Sequence, residues 1–169
     1  MNNILKNKGF TLIELLVVVS IIGLLASVVM TSLNTARAKA RDTKRMQDLH
    51  QIKVALEMYF DVNGRYPAIT GWAYSNATSW DTLQTALAPY IPSLPKDPKN
   101  NRSGPWTTGN YSYAYGYNTA SFPGKYDLVT QFEDVNNNNR CELKLWRYHT
   151  NGNEALWCGS YSKYLYADH

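Results

Sequence analysis

Gly9-Phe10-Thr11-Leu12-Ile13-Glu14 is the stretch on which the reading of this 169-residue chain turns. Before it lies a short basic leader, Met1 to Gly9, whose charges are Lys6 and Lys8. Behind it the chain runs apolar: the 24 residues from Phe10 to Leu33 carry one formal charge, on Glu14. Coiled at about 1.5 Å per residue, this run spans roughly 36 Å, enough to cross about 30 Å of hydrocarbon. A carboxylate inside such a helix costs on the order of 2.5–3.5 kcal/mol on insertion scales. It therefore demands a partner, and the sequence points to a positive charge outside this chain's own helix. Ser20, Gly23, Ser27, Thr31 and Ser32 dilute the run, and small residues of this kind favour close helix–helix packing in lipid.

An ordinary secretory signal carries a small-residue cleavage site after its apolar core. Ala26-Ser27-Val28 is a poor version of one. Lys8-Gly9-Phe10-Thr11-Leu12-Ile13-Glu14-Leu15-Leu16 instead resembles the prepilin signal of type IV pilins and type II secretion pseudopilins. The resemblance implies cleavage by a prepilin peptidase between Gly9 and Phe10, N-methylation of Phe10, and retention of the apolar segment. It also implies that Glu14 meets the amino-terminal ammonium of a neighbouring subunit. Burying that pair sets a large Coulomb attraction against a large desolvation cost, so it fixes register more than it adds stability. Many members carry a proline near the end of the apolar segment. This chain has Thr31 there and no proline before Pro67.

Outward from the motif, Met46, Leu49, Ile52, Leu56 and Tyr59 or Phe60 recur at helical spacing, continuing the same helix with one apolar stripe. Asn63-Gly64 and then Pro67 stop it. The expected helix runs from about 10 to about 61. A short helix is expected from Ser79 to Tyr90, with Ser79 as N-cap and Leu83, Leu87 and Tyr90 on one face. Tyr111 to Tyr117 alternates tyrosine with small residues, as a strand does. Its small face is expected to sit close to the helix. The tyrosines either pack the sheet or form an aromatic surface for subunit contact or adhesion. Tyr126 to Phe132 is a second strand. Leu143–His149 and Glu154–Cys158 form a hairpin around Asn151-Gly152, and Tyr161 to Tyr166 adds a terminal strand or lies along the sheet edge. The fold class is α+β: a pilin-like long helix on a small antiparallel sheet. Residues 1–9 are the leader, 10–33 the membrane and filament-core half of the helix, and 34–169 the head with the amphipathic half.

The formal charge of +4 falls to +2 without Lys6 and Lys8, too little to argue for nucleic acid. Arg37, Lys39, Arg41, Lys44 and Arg45 cluster around Asp42 and read as a helix turn facing solvent or lipid headgroups, with DNA uptake as a minor alternative. Cys141 and Cys158 are expected to form a disulfide in an exported domain, worth about 3 kcal/mol. A tight hairpin turn sets Leu145, not Cys141, opposite Cys158, so either the turn is wider or Cys141 reaches in from the preceding loop. Asp134, Asn136, Asn138 and Glu142 resemble the start of a calcium loop, although Asn139 replaces the turn glycine and Leu145 stands where the bidentate glutamate belongs. The other reading is an asparagine-rich turn. His50, His149 and His169 form no catalytic spacing, so no enzyme is expected.

The function implied by the resemblance is a structural subunit of a type IV pilus-like filament. Its expected partners are copies of itself, the prepilin peptidase, the inner-membrane assembly machinery and the membrane. Alternatives are a major G-type pseudopilin of type II secretion, suggested by Gly64-Arg65-Tyr66-Pro67 and Leu94-Pro95-Lys96-Asp97-Pro98, and a minor pilin for adhesion or DNA uptake.

Overall fold

The structure, a computed structural model, describes residues 9–117, 124–134, 137 and 165–168. It divides into two units, Met1–Arg37 and Ala38–His169. Six elements follow in order: α1 (Leu12–Asn63), β1 (Trp72–Tyr74), α2 (Ser79–Leu87), β2 (Ala114–Tyr117), β3 (Tyr126–Gln131) and β4 (Leu165–Asp168).

In the first unit every large apolar residue from Phe10 to Leu33 is exposed, with exposures from 47% to 82%. Its hydroxyls bond back onto their own helix: Ser20 Oγ to Val17 O at 2.8 Å, Ser27 Oγ to Leu24 O at 2.7 Å and Thr31 Oγ1 to Val28 O at 2.8 Å. These three hydroxyls thus have an acceptor within the helix, as an apolar solvent requires.

In the second unit, Leu49, Ile52, Ala55 and Leu56 of α1 enter the core. The helix ends as its residues dictate. Gly64 adopts φ +66° and donates to Phe60 O at 2.7 Å, while Asn63 Nδ2 donates to Tyr59 O at 2.8 Å. The left-handed turn is one that only glycine adopts without strain.

The sheet has strand order β1-β2-β3-β4, antiparallel throughout. Large and small residues oppose each other across β1 and β2: Trp72 faces Gly116, Ala73 faces Tyr115 and Tyr74 faces Ala114. Tyr113, Tyr115, Tyr117, Tyr126 and Leu128 share one core with α1 and with Trp80, Leu83 and Leu87 of α2. The tyrosine face of β2 therefore packs with the helix, and Ala114 lies on the other face with Val129, Trp72, Tyr74 and Trp106. This reverses the expectation that the small face sits near the helix. The rings fill the space between sheet and helix, and their hydroxyls find acceptors there. Tyr113 Oη donates to Asp48 Oδ2 and Tyr115 Oη to Pro67 O, both at 2.8 Å.

Two further differences are local. α2 starts at Ser79, with Thr78 as N-cap and no side-chain cap bond. The Ser79 hydroxyl instead accepts Tyr74 N–H at 3.2 Å, tying the helix start to β1. The helix closes at Leu87, whose carbonyl accepts the N–H groups of both Tyr90 and Ile91. β1 was not expected from sequence. The expected hairpin at 143–158, with Cys141 and Cys158, lies outside the described residues.

Candidate assembly site

Thr11 and Glu14 form a reciprocal cap at the start of α1. Glu14 Oε2 accepts Thr11 N–H at 2.9 Å and the Thr11 hydroxyl at 2.7 Å, and Glu14 N–H donates to Thr11 Oγ1 at 3.3 Å. This is a capping box: side chains satisfy backbone donors that have no partner within the helix. The carboxylate also sits in the first turn, where the helix dipole favours negative charge. So Glu14 has local donors in its own chain, which the sequence reading did not include. Those donors fall on Oε2, and Oε1 takes no hydrogen bond among the described residues. Phe10 is 82% exposed. A Cβ built at Gly9 would meet nothing within 4 Å, so the folded chain does not itself demand glycine there.

A second cluster lies on the head. Arg45 is 0% exposed and uses its whole guanidinium. Nε and Nη2 grip Asp97 at 2.7 and 3.0 Å, while Nη1 donates to Asp42 at 2.7 Å and Glu133 at 3.0 Å. Arg41 forks onto Glu133 at 2.6 and 2.7 Å, and Lys99 Nζ reaches the same carboxylate at 2.8 Å. Asp42 in turn accepts the N–H groups of Glu133 and Asp134, at 3.0 and 2.8 Å. Asp97 accepts those of Lys99 and Asn100. Tyr111 covers the cluster, its ring centre 4.9 Å from the Arg45 guanidinium carbon and 4.3 Å from Lys99 Nζ. Burial alone would raise the Glu133 pKa, but hydrogen bonds from Arg41, Lys99 and Arg45 hold it down at about 2.

Arg37, Lys39 and Lys44 are exposed, as expected of a turn facing solvent or headgroups, but for Arg41, Asp42 and Arg45 that reading is corrected. Arg45 and Asp42 are buried and Arg41 is half-buried against Glu133, so the cluster is an internal clasp joining α1, the Asp97 loop and the end of β3. A signal was present: Asp42, Arg45, Leu49, Ile52 and Leu56 form one run at spacings of three and four. Asp97 and Glu133 were not identified as partners.

Of the four calcium-loop residues, Asn136, Asn138 and Glu142 lie outside the described residues. Asp134 follows Glu133 and has Oδ2 4.0 Å from Lys39 Nζ, so a cation there would compete with a lysine. Among the described residues no group of three or more His, Cys, Asp or Glu side chains is arranged to hold a metal.

Residues 4–30 match the family model described as the prokaryotic N-terminal methylation motif. The type II secretion system core protein G of Escherichia coli is 38% identical over 101 residues, covering 57% of this chain and 69% of the relative. The protein of the same name from Vibrio cholerae is 36% identical over 104 residues, 60% of this chain and 71% of the relative. The type IV major pilin protein PilA of Myxococcus xanthus is 34% identical over 61 residues, 36% of this chain and 28% of the relative. No solved structure matches the chain.

Proposed function

Because the chain belongs to the family of type IV pilins and type II secretion pseudopilins, we propose that it is a structural subunit of a pilus-like filament, held in the membrane by residues 10–33 until assembly. The observation that carries this reading is the exposed apolar half of α1, opened by the Thr11–Glu14 box. In this reading the prepilin peptidase cuts between Gly9 and Phe10, and the new amine of Phe10 is the charge that Glu14 of a neighbouring copy receives. Thr11 holds Oε2 and orients the carboxylate, and Oε1 is left for that amine. The inner-membrane machinery then moves processed subunits into the fibre at the cell surface or in the periplasm. Glu14→Ala tests the pairing. Processed protein should accumulate in membranes while fibre yield falls at least tenfold. Normal yield would refute the role.

A second reading, the major G-type pseudopilin, is favoured by the protein G relatives and by the Leu94–Pro98 segment, whose Asp97 anchors Arg45. Fibres at native expression separate the two. A pilin forms long surface fibres made mostly of this chain, and a pseudopilin is instead required for protein secretion.

Two smaller proposals attach to the C-terminal part of the chain. Cys141 and Cys158 form a disulfide, which alkylation and mass spectrometry would reveal as a pair protected until reduction. Asp134, Asn136, Asn138 and Glu142 bind calcium, which would raise the melting temperature on titration. An unchanged melting temperature would remove the calcium proposal.

A further inference from the structure

Two Asn-Gly pairs occur in the chain, Asn63-Gly64 and Asn151-Gly152, and the first lies among the described residues, at the end of α1. The pair is chemically labile, because glycine has no side chain to hinder its nitrogen. That nitrogen can attack the asparagine carboxamide carbon. A new C–N bond forms, the bond to Nδ2 breaks, and the amide proton leaves with the ammonia. The five-membered imide then takes up water and opens to aspartate or isoaspartate. The reaction needs only water, and both Asn63 and Gly64 are exposed, so burial does not protect them.

What protects them is conformation. The attacking group, Gly64 N–H, is taken by Phe60 O at 2.7 Å. The leaving group, Asn63 Nδ2, donates to Tyr59 O at 2.8 Å, which turns the side chain back along its own helix. Asn63 is the last residue of α1, and helical torsions hold the next nitrogen out of line with the carboxamide carbon. Packing in turn holds this last turn. Tyr59 and Phe60 lie against the head core, with the Phe60 ring centre 4.8 Å from that of Tyr66.

We propose that Asn63 is a site of spontaneous deamidation that the folded end of α1 holds closed, so that the modified residue marks copies of the chain whose last turn has opened. Opening one helix end costs less than unfolding the head, and the rate of modification follows the fraction of time that the turn is open. The change is one-way. Aspartate at position 63 loses the donor to Tyr59 O. It also places a negative charge close after Asp61, at the C-terminal end of the helix, where the dipole disfavours it. Isoaspartate adds a backbone atom before Gly64, so the bond to Phe60 O cannot re-form in register. The head thus keeps a chemical record of its own loosening. The inference does not depend on the filament reading.

The test uses the full chain in detergent, held at mildly alkaline pH with and without guanidinium chloride and then digested with trypsin. The tryptic peptide 54–65, between Lys53 and Tyr66, contains one side-chain amide, that of Asn63. Its gain in mass therefore reads this site alone. Conversion should be at least tenfold slower in the folded chain than in guanidinium chloride. Equal rates, or no conversion in guanidinium chloride, overturn the proposal. Phe60→Ala removes packing from the last turn and, with folding checked by circular dichroism, should speed conversion in the folded chain at least threefold. A folded variant converting at the wild-type rate would show that the turn is not the gate. If that variant does not fold, the guanidinium comparison on the wild type still decides. Asn63→Asp should melt below the wild type, and an equal melting temperature would overturn the one-way change.

Discussion

Arg45 is the cation at the centre of the head's ionic clasp. It lies inside the fold with three carboxylates around it, and removing one member of a buried ionic set leaves its partners uncompensated, at about 3–5 kcal/mol. Arg45→Ala should therefore lower head stability by that amount in denaturant titrations of the detergent-solubilised chain. Arg45→Lys should recover only part of it, because an ammonium cannot fork onto Asp97. Glu133 sets the acid response. Its pKa in the fold, about 2, lies below the ordinary value near 4.3, so the folded state favours the charged form. That stabilisation is full above about pH 4.3 and is lost as pH falls toward 2. Melting temperatures measured across this window should fall steeply for the wild type and less steeply for Glu133→Gln. The positions of Asp42 and Arg45 on the buried stripe were legible from spacing, but their charge argued for the surface. Their partners lie 52 and 88 residues beyond Arg45, a pairing that no local pattern announces.

Among the elements, α1 was the most legible, because two independent patterns run through it: an apolar stretch of membrane length and then a stripe at helical spacing. Its end was legible too, since Asn63-Gly64 has one common use. β2 was legible only in part. Alternation divides Tyr113, Tyr115 and Tyr117 from Ala114 and Gly116, but it does not say which face meets the helix. The answer lies in volume and hydrogen bonding: large rings fill the gap, and Asp48 of α1 accepts the Tyr113 hydroxyl. Tyr113→Phe should cost about 1–3 kcal/mol, because the buried Asp48 oxygen loses its donor, and thermal melts would register the loss. β1 was not legible. Three residues are too few to display a period of two, and Trp72-Ala73-Tyr74 sits in a segment rich in turn formers. Ser79 was misassigned as a cap for a related reason: its hydroxyl is taken by Tyr74 N–H from β1, a tertiary choice that overrides local propensity.

At the scale of the whole molecule, the chain combines a head stabilised by its own core and ionic clasp with a helix that leaves its first half for other copies to cover. Exposed apolar surface of this extent is untenable for a chain alone in water. It is consistent with a chain that passes from lipid into a fibre. In the proposed assembly the capping box presents Glu14 with Oε2 held by Thr11 and Oε1 without a hydrogen bond among the described residues. Identity to the protein G relatives covers somewhat more than half of this chain. The measurement that tests the central claim most directly is N-terminal mass spectrometry of this chain in fibres sheared from the cells that make it. The account predicts a chain beginning at Phe10 and carrying an N-methyl group. A chain beginning at Met1, or fibres from which it is absent, would contradict it.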